Sequence, residues 1–231
     1  MKLKKETHPH KQEKKTGLRI NDIVPNFSAE TDLGSIRFHD WIGDEWAILF
    51  SHPKDYTPVC TTEFGAVAQL AKEWETHNTK VIGLSVDGVE EHKGWKKDIE
   101  AVSDAKAVFP IIADASLEVS KQFDMLPADA YLPDGRTAAD SASVRSVFII
   151  SPDKKLQLSM TYPMSVGRTF AEILRALKAL QKTYGQPLAT PANWTEDQDV
   201  VIALSLDDAA AEEKFGAFDA RLPYLRITSN A

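Results

Sequence analysis

Apolar residues along the chain switch repeatedly between two periods. "WAILFS" (46–51) is a short continuous apolar run, the pattern of a strand buried on both faces. Residues 60–75 then take helical spacing, with Cys60, Phe64, Val67, Ala71 and Trp74 on one stripe. "KVIGLSVD" (80–87) predicts the next strand, "EEHKGWKKDIE" a mostly polar helix, "FPIIAD" (109–114) another strand, and "SLEVSKQF" a helix. "VRSVFIIS" (144–151) and "LQLSMTY" (156–162) are strands joined by the turn cluster "SPDKK", which predicts an antiparallel hairpin. An amphipathic helix from Thr169 to about Thr183 follows.

This order, βαβ, then a helix, a β-hairpin and a last helix, predicts an α/β fold: a mixed sheet with helices on both faces. "YGQPLATPANW" (184–194), with one glycine and two prolines, marks a boundary. Beyond it lie a short strand "DVVIALS", an acidic helix near Asp208 to Phe215, and "LPYLRITS", too little to fold alone. That tail must pack on its own domain or on another subunit.

Composition adds limits. With 231 residues, 43% hydrophobic and 26% charged, the chain can bury a full core. Its net charge is −7, yet residues 1–16 carry six lysines against two glutamates, so the remainder is more acidic still and argues against a nucleic-acid partner. Residues 1–16 have no periodicity and read as a disordered basic extension. His8 and His10 within it make a poor metal site without a third ligand. No segment approaches the roughly 18 apolar residues of a membrane span, and no apolar h-region of a secretory signal is present. One cysteine rules out an intramolecular disulfide and fits a reducing compartment, so a cytoplasmic location is expected.

That cysteine, Cys60, lies in "LFSHPKDYTPVCTTEF" (49–64). Thr57 followed by Pro58 is a helix-start signal, the threonine as cap and the proline at the first helical position. Cys60 then falls third in the helix, among unpaired backbone N–H groups that favour an anion. A helix N-terminus supplies about 0.3 to 1 kcal/mol, at most ~2, against about 1.36 kcal/mol per pKa unit, so a reactive thiolate calls for a cation as well. Arg145 is the outstanding candidate, because it heads the apolar strand "VRSVFII" where a permanent charge needs a partner. Each residue also has a plainer reading. Cys60 could be a small buried hydrophobe, Arg145 could snorkel or pair with an acid, and His52 could be a structural histidine at a strand end.

Pro53, Thr57 and Cys60 match Pro-x-x-x-Thr-x-x-Cys, the active-site pattern of the peroxiredoxins. The string "LFSHPKDYTPVCTTE", together with "FHDWIGDEW", "SPDKKLQLSMTYP", "GRTFAEILRAL" and "LATPANW", resembles the one-cysteine, class-six subgroup from about Leu18 to the C-terminus. The resemblance implies a thioredoxin-like fold with a mixed central sheet flanked by helices. It divides the chain into the extension 1–16, a peroxidase domain 17–184 and a small α+β dimerisation region 185–231. The implied activity is reduction of hydrogen peroxide and organic hydroperoxides, without metal or organic cofactor, in antioxidant defence. By position Cys60 resembles the peroxidatic nucleophile, Thr57 the hydroxyl that binds peroxide, Pro53 the residue shielding the sulfur and Arg145 the activating arginine. His52 matches a histidine beside the sulfur, and Arg168 a second arginine near the pocket, although a helix N-terminus is a poor place for a cation. Implied partners are an external thiol reductant, of the glutathione or thioredoxin system, and a second copy of the chain in a homodimer or higher oligomer. The competing reading is a peroxide sensor in which Cys60 is oxidised without rapid turnover.

Some class-six relatives are also described as phospholipases, with a serine in Gly-x-Ser-x-Gly. Here that segment is Gly43, Asp44, Glu45, Trp46, Ala47, so glutamate stands in the serine's place. His39 and Asp153 match the other two members, but without the nucleophile no serine phospholipase activity is expected.

Overall fold

The computed structural model describes residues 17–128, 130 and 141–230. The expected basic extension, with His8 and His10, lies outside the described residues. Strand β1 (Ser28–Thr31) and β2 (Gly34–Arg37) open the fold, followed by α1 (Phe38–Ile42), β3 (Trp46–Ser51), α2 (Pro58–Gln69), α3 (Ala71–Thr76) and β4 (Thr79–Ser85). Then come α4 (Val89–Ser103), β5 (Ile111–Ala113), α5 (Glu118–Gln122), β6 (Arg145–Ile150), β7 (Leu156–Tyr162) and α6 (Phe170–Thr183). The C-terminal part holds β8 (Leu188–Ala189), β9 (Val200–Ile202), α7 (Asp208–Phe215), β10 (Asp219–Leu222) and β11 (Leu225–Thr228).

The larger sheet has seven strands in the order β2-β1-β5-β4-β3-β6-β7. β3 runs parallel to β4 and β4 to β5, whereas β6 is antiparallel to both β3 and β7, so the sheet is mixed as expected. Side chains alternate between its faces with the strand period of two. Trp46, Ile48 and Phe50 of β3 and Val147 and Ile149 of β6 face one core cluster, which holds Cys60, Phe64 and Trp95 under α2, α4 and α6. Ala47, Leu49, Phe148 and Ile150 face the other, with Phe38, Ile42, Val119 and Phe123. Burial on both faces explains why the central strands read as unbroken apolar runs.

Two elements differ from the sequence reading. The helical stretch 60–75 is broken at Leu70, whose backbone (φ −91°, ψ 11°) ends α2 before α3 begins. The Trp74 indole N–H donates to the Val67 carbonyl (3.0 Å), which also accepts from the Leu70 backbone N–H (3.2 Å) at the helix end. The hairpin of β1 and β2 went unforeseen because neither strand alternates cleanly; its turn is tied by Thr31 Oγ1, which donates to Gly34 O (2.7 Å), with Gly34 at φ 115°.

The C-terminal elements form a separate four-stranded sheet, β10-β11-β9-β8, antiparallel throughout. Leu188, Trp194, Val200, Ile202, Ala211 and Phe215 make its own small core, which reaches α6 through Ala179. Arg175 of α6 donates from Nη1 to the Trp194 carbonyl (3.0 Å), fixing this layer to the main body.

Gly83 in β4 lies against Phe64 of α2. A Cβ there would lie 2.8 Å and 2.9 Å from Cζ and Cε1 of Phe64, which is fully buried and wedged between Phe50 and Trp95 (ring centroids 4.8 and 4.7 Å). Gly83→Ala is therefore expected to destabilise the fold by about 1–3 kcal/mol through overpacking, read as a lower urea midpoint. A midpoint equal to the wild type's would mean that Phe64 gives way freely.

Candidate active site

Alternation along β6 decides where Arg145 goes. It shares the face of Val147 and Ile149, the face covered by α2, so its guanidinium enters the layer that contains Cys60. Arg145 Nη1 lies 3.3 Å from Cys60 Sγ, while Nε donates to the Met164 carbonyl (2.9 Å). Both residues are nearly sealed from solvent, Cys60 at 0% and Arg145 at 3% exposure. Arg145 thus has the partner that its place in an apolar strand demanded.

It has a second partner that the sequence did not announce. Glu63, one turn after Cys60 on α2, accepts from Arg145 Nη1 at 2.6 Å. The same carboxylate accepts from Arg168 Nε (2.9 Å), Nη2 (2.8 Å) and backbone N (2.8 Å). Burial pushes the Glu63 carboxyl up, but the hydrogen bonds and charge of Arg168, with the charge of Arg145, hold it below the usual range and so ionised. Burial draws the Arg168 pKa down against the pull of Glu63. Two guanidiniums against one carboxylate leave a single positive charge over, and the sulfur faces it.

Arg168, expected near the pocket, reaches it through Glu63; its Nη1 binds the Ser146 carbonyl (2.9 Å). It escapes the helix-dipole objection because it precedes the cap residue Thr169 and turns its charge onto a carboxylate. Thr57 occupies the N-cap position of α2 with extended backbone (φ −114°, ψ 147°) and Pro58 behind it. Its side chain does not cap: Oγ1 donates instead to Lys54 O (2.9 Å). The N–H groups of the first turn are thus left uncapped by that hydroxyl, which keeps its lone pairs as acceptors. Thr57 borders an open depression of about 510 Å³, lined also by Tyr56, Pro58, Thr61 and Asp98, on the outer side of the helix start. Pro53 is buried in the connection between β3 and α2.

His52 is fully buried, its ring against Phe64 (4.5 Å between centroids) and Trp95 (5.0 Å). Its Nε2 lies 2.6 Å from Asp55 Oδ1, and His92 Nδ1 lies 2.6 Å from Asp55 Oδ2. Burial lowers the His52 pKa, outweighing the attraction of Asp55. Burial pushes the Asp55 carboxyl up, but its hydrogen bonds to His52 and His92 bring it below the usual value. Sequence reading missed Glu63, Asp55 and His92. Glu63 had a signal, a carboxylate three residues after the cysteine on the buried stripe; Asp55 and His92 are 37 residues apart and had none.

The members of the matched phospholipase set are otherwise engaged. Glu45 pairs with Lys80 (2.8 Å) and His39 Nε2 lies 2.9 Å from the Val24 carbonyl. Asp153 binds Ser151 and Lys155 and, although burial pushes it up, the hydrogen bonds bring its pKa down to about 2.

Two measurements probe these charges. Glu63→Ala leaves two buried guanidiniums without their carboxylate and is expected to cost about 3–5 kcal/mol of unfolding free energy, while Glu63→Gln, which keeps an acceptor oxygen, costs less. The pH dependence of thermal unfolding carries the second. His52 sits below its ordinary 6.5, and Glu63 and Asp55 below 4.5 and 3.8, so in each window the unfolded chain binds more protons. Stability is accordingly complete above about pH 6.5 for these groups, erodes below it as unfolded His52 takes up its proton, and falls further as the carboxylates are protonated. A midpoint that rises on acidification from about pH 7 to 5 would contradict these environments.

Comparison with known proteins places the architecture. Residues 20–159, more than half of the chain, match the AhpC/TSA family. The chain is 46% identical over 223 residues to the mitochondrial peroxiredoxin PRX1 of Saccharomyces cerevisiae, covering 95% of this chain and 84% of that protein. It is 46% identical over 222 residues to peroxiredoxin-6 of Gallus gallus, covering 92% and 97%. Among solved structures, a cysteine-to-serine mutant of peroxiredoxin 6 from Arenicola marina superposes with TM-score 0.86 at 38% identity, covering 93% of this chain and 99% of that one. A yeast mitochondrial 1-Cys peroxiredoxin gives 0.82 at 45% identity, covering 91% and 99%. The mitochondrial relative overturns the cytoplasmic expectation. The missing h-region spoke only to secretory export, and organellar addresses are basic and amphipathic instead. No helix among the described residues is long and apolar enough to cross a membrane. With its thioredoxin-like fold and single cysteine, the chain belongs to the AhpC/TSA family, among the one-cysteine peroxiredoxins, and is a thiol peroxidase.

Proposed function

We propose that Cys60 is the peroxidatic nucleophile and that Arg145 is the group that makes it one. The observation that carries this is the 3.3 Å contact between Arg145 Nη1 and Cys60 Sγ inside a cluster with one positive charge to spare. The Cys60 thiolate attacks the terminal peroxide oxygen: the S–O bond forms, the O–O bond breaks, and the leaving oxygen collects a proton as water or an alcohol. Arg145 and the backbone N–H groups at the start of α2 face the charge moving onto that oxygen. Thr57, whose hydroxyl proton goes to Lys54 O, accepts a hydrogen bond from the peroxide, and Pro53 keeps bulk water from the sulfur. Arg168 holds Glu63, and Glu63 holds Arg145, so both act on geometry rather than on the substrate.

Cys60 becomes a sulfenic acid, and with no second cysteine in the chain an external thiol must restore it. The yeast 1-Cys relative is described as resolved via glutathione and thioredoxin systems, which favours the same class of reductant here. We read residues 17–184 as the peroxidase domain and the layer 185–231 as the part through which two copies assemble. Glutamate at position 45 leaves Cys60 as the nucleophile of this proposal, with no serine acyl-transfer activity.

The test is peroxide consumption with a thiol reductant. Cys60→Ser should abolish it, and Arg145→Lys should lower the rate constant with hydrogen peroxide by about 10²-fold or more, since one ammonium cannot serve sulfur, Glu63 and the Met164 carbonyl together. Undiminished consumption by Cys60→Ser would sink the assignment. One equivalent consumed without turnover would favour the sensor.

A further inference from the structure

Asp55 is gripped from both sides by histidines, His52 through Nε2 and His92 through Nδ1, each at 2.6 Å. A carboxylate only accepts, so both of those ring nitrogens direct a proton at it. The Asp55 segment is itself anchored: its backbone N–H donates to Asp87 Oδ2 (2.8 Å), and Ser85 Oγ donates to the same oxygen (2.8 Å). His52, Asp55 and Asp87 place ligand-type atoms within 4.8 Å of one another, but these hydrogen bonds already engage them, which marks a relay rather than a metal site. His52 is thereby held with its proton on Nε2. Among the described residues its Nδ1 has no partner, in a side chain with no exposure. The ring rests on Phe64, which lies one helical turn from Cys60 on the same buried stripe of α2.

In the oxidative step the thiolate and the leaving oxygen need donors, and the one acceptor the peroxide calls for is already supplied by Thr57, so this lone pair is left over there. It has the right polarity for removing a proton. The step that brings a surplus proton is the reductive one, because an ordinary thiol, with a pKa of about 8.5, arrives protonated. We propose that Asp55, braced by His92, is a positioning residue that holds His52 Nδ1 ready to take the proton of the incoming reductant thiol. The thiol proton passes to Nδ1 as the reductant sulfur attacks the Cys60 sulfenic sulfur. The S–S bond forms, the S–O bond breaks, and the departing hydroxide takes the proton back from Nδ1 and leaves as water. The reductant sulfur is oxidised and the Cys60 sulfur reduced, while Asp55 stabilises the transient imidazolium. This rests on the reading of Cys60 as the residue that carries the sulfenic acid.

The two halves of the cycle are measured separately on the full chain. Oxidation is followed by competition for hydrogen peroxide, and reduction by mixing protein oxidised with one equivalent of peroxide with dithiothreitol and counting the remaining sulfenic acid by dimedone trapping and intact-mass spectrometry. Asp55→Asn keeps an oxygen for His52 but no charge; oxidation should stay within about twofold while reduction slows by about 10²-fold, the lower end of a general-base contribution. Equal reduction rates in Asp55→Asn and wild type, or equal losses in both halves, overturn the proposal. His92→Asn, whose amide N–H can replace Nδ1–H, should reduce at near the wild-type rate, and His92→Leu should be slow. If Asp55→Asn does not fold, that pair decides, and identical rates in the two overturn the brace. Cys60→Ser is run alongside, where persisting peroxide consumption would show that the reading of Cys60 had failed rather than the relay.

Discussion

One buried carboxylate carries the site. Burying two guanidiniums in an apolar layer is tolerable only if a charge of opposite sign meets both, and Glu63 does so with oxygens that accept from Arg145 and three times from Arg168. Remove that carboxylate and the strand β6, the helix α2 and the segment before α6 lose a charged group that joins them. The cluster is left with one positive charge. It follows from two cations sharing one anion beside a sulfur atom.

The fold supplies the three elements at the right places by ordinary means. Alternation along β6 sends Arg145 and Val147 to the same face, and the helix period puts Cys60 and Glu63 on adjacent positions of the buried side of α2. Gly83 lets that helix sit close to the sheet, with Phe64 pressed onto the space where a side chain would be. Trp95 closes the layer from α4, donating from Nε1 to Thr61 Oγ1 (3.0 Å), which in turn donates to the Thr57 carbonyl (2.8 Å). Helix start, central strands and aromatic layer are thus tied together around a sulfur that solvent does not reach.

A second polar group of opposite character reaches the same aromatic layer, the His52 ring lying against Phe64. His52, Asp55 and His92 form a chain of donors and acceptors that ends in a lone pair with no partner among the described residues, whereas Arg145 and the backbone N–H groups at the start of α2 are donors. A peroxidase that runs one thiol through oxidation and reduction needs both kinds of environment, because the first half develops negative charge and the second must dispose of protons.

Much of this was legible in the chain. Buried strands are apolar runs and the helix before the last layer is strongly amphipathic, so the mixed sheet could be read from period alone, and the Thr57–Pro58 start placed Cys60 in a first helical turn. Arg145 stood out as a charge in an apolar strand and was matched to Cys60, while the acid that shares it, Glu63, was not named. The rest depended on distance in space. α2 ends at Leu70 with an indole from the next helix on the Val67 carbonyl, the Thr57 hydroxyl turns to Lys54 rather than to the helix, and Asp55 meets His92 across 37 residues. The sequence by itself determined which residues could carry the chemistry, through period, capping and charge. Tertiary structure alone decided which of them touch, because a hydrogen bond or ion pair between distant residues is set by the packing of the elements that bear them and leaves no periodic trace along the chain.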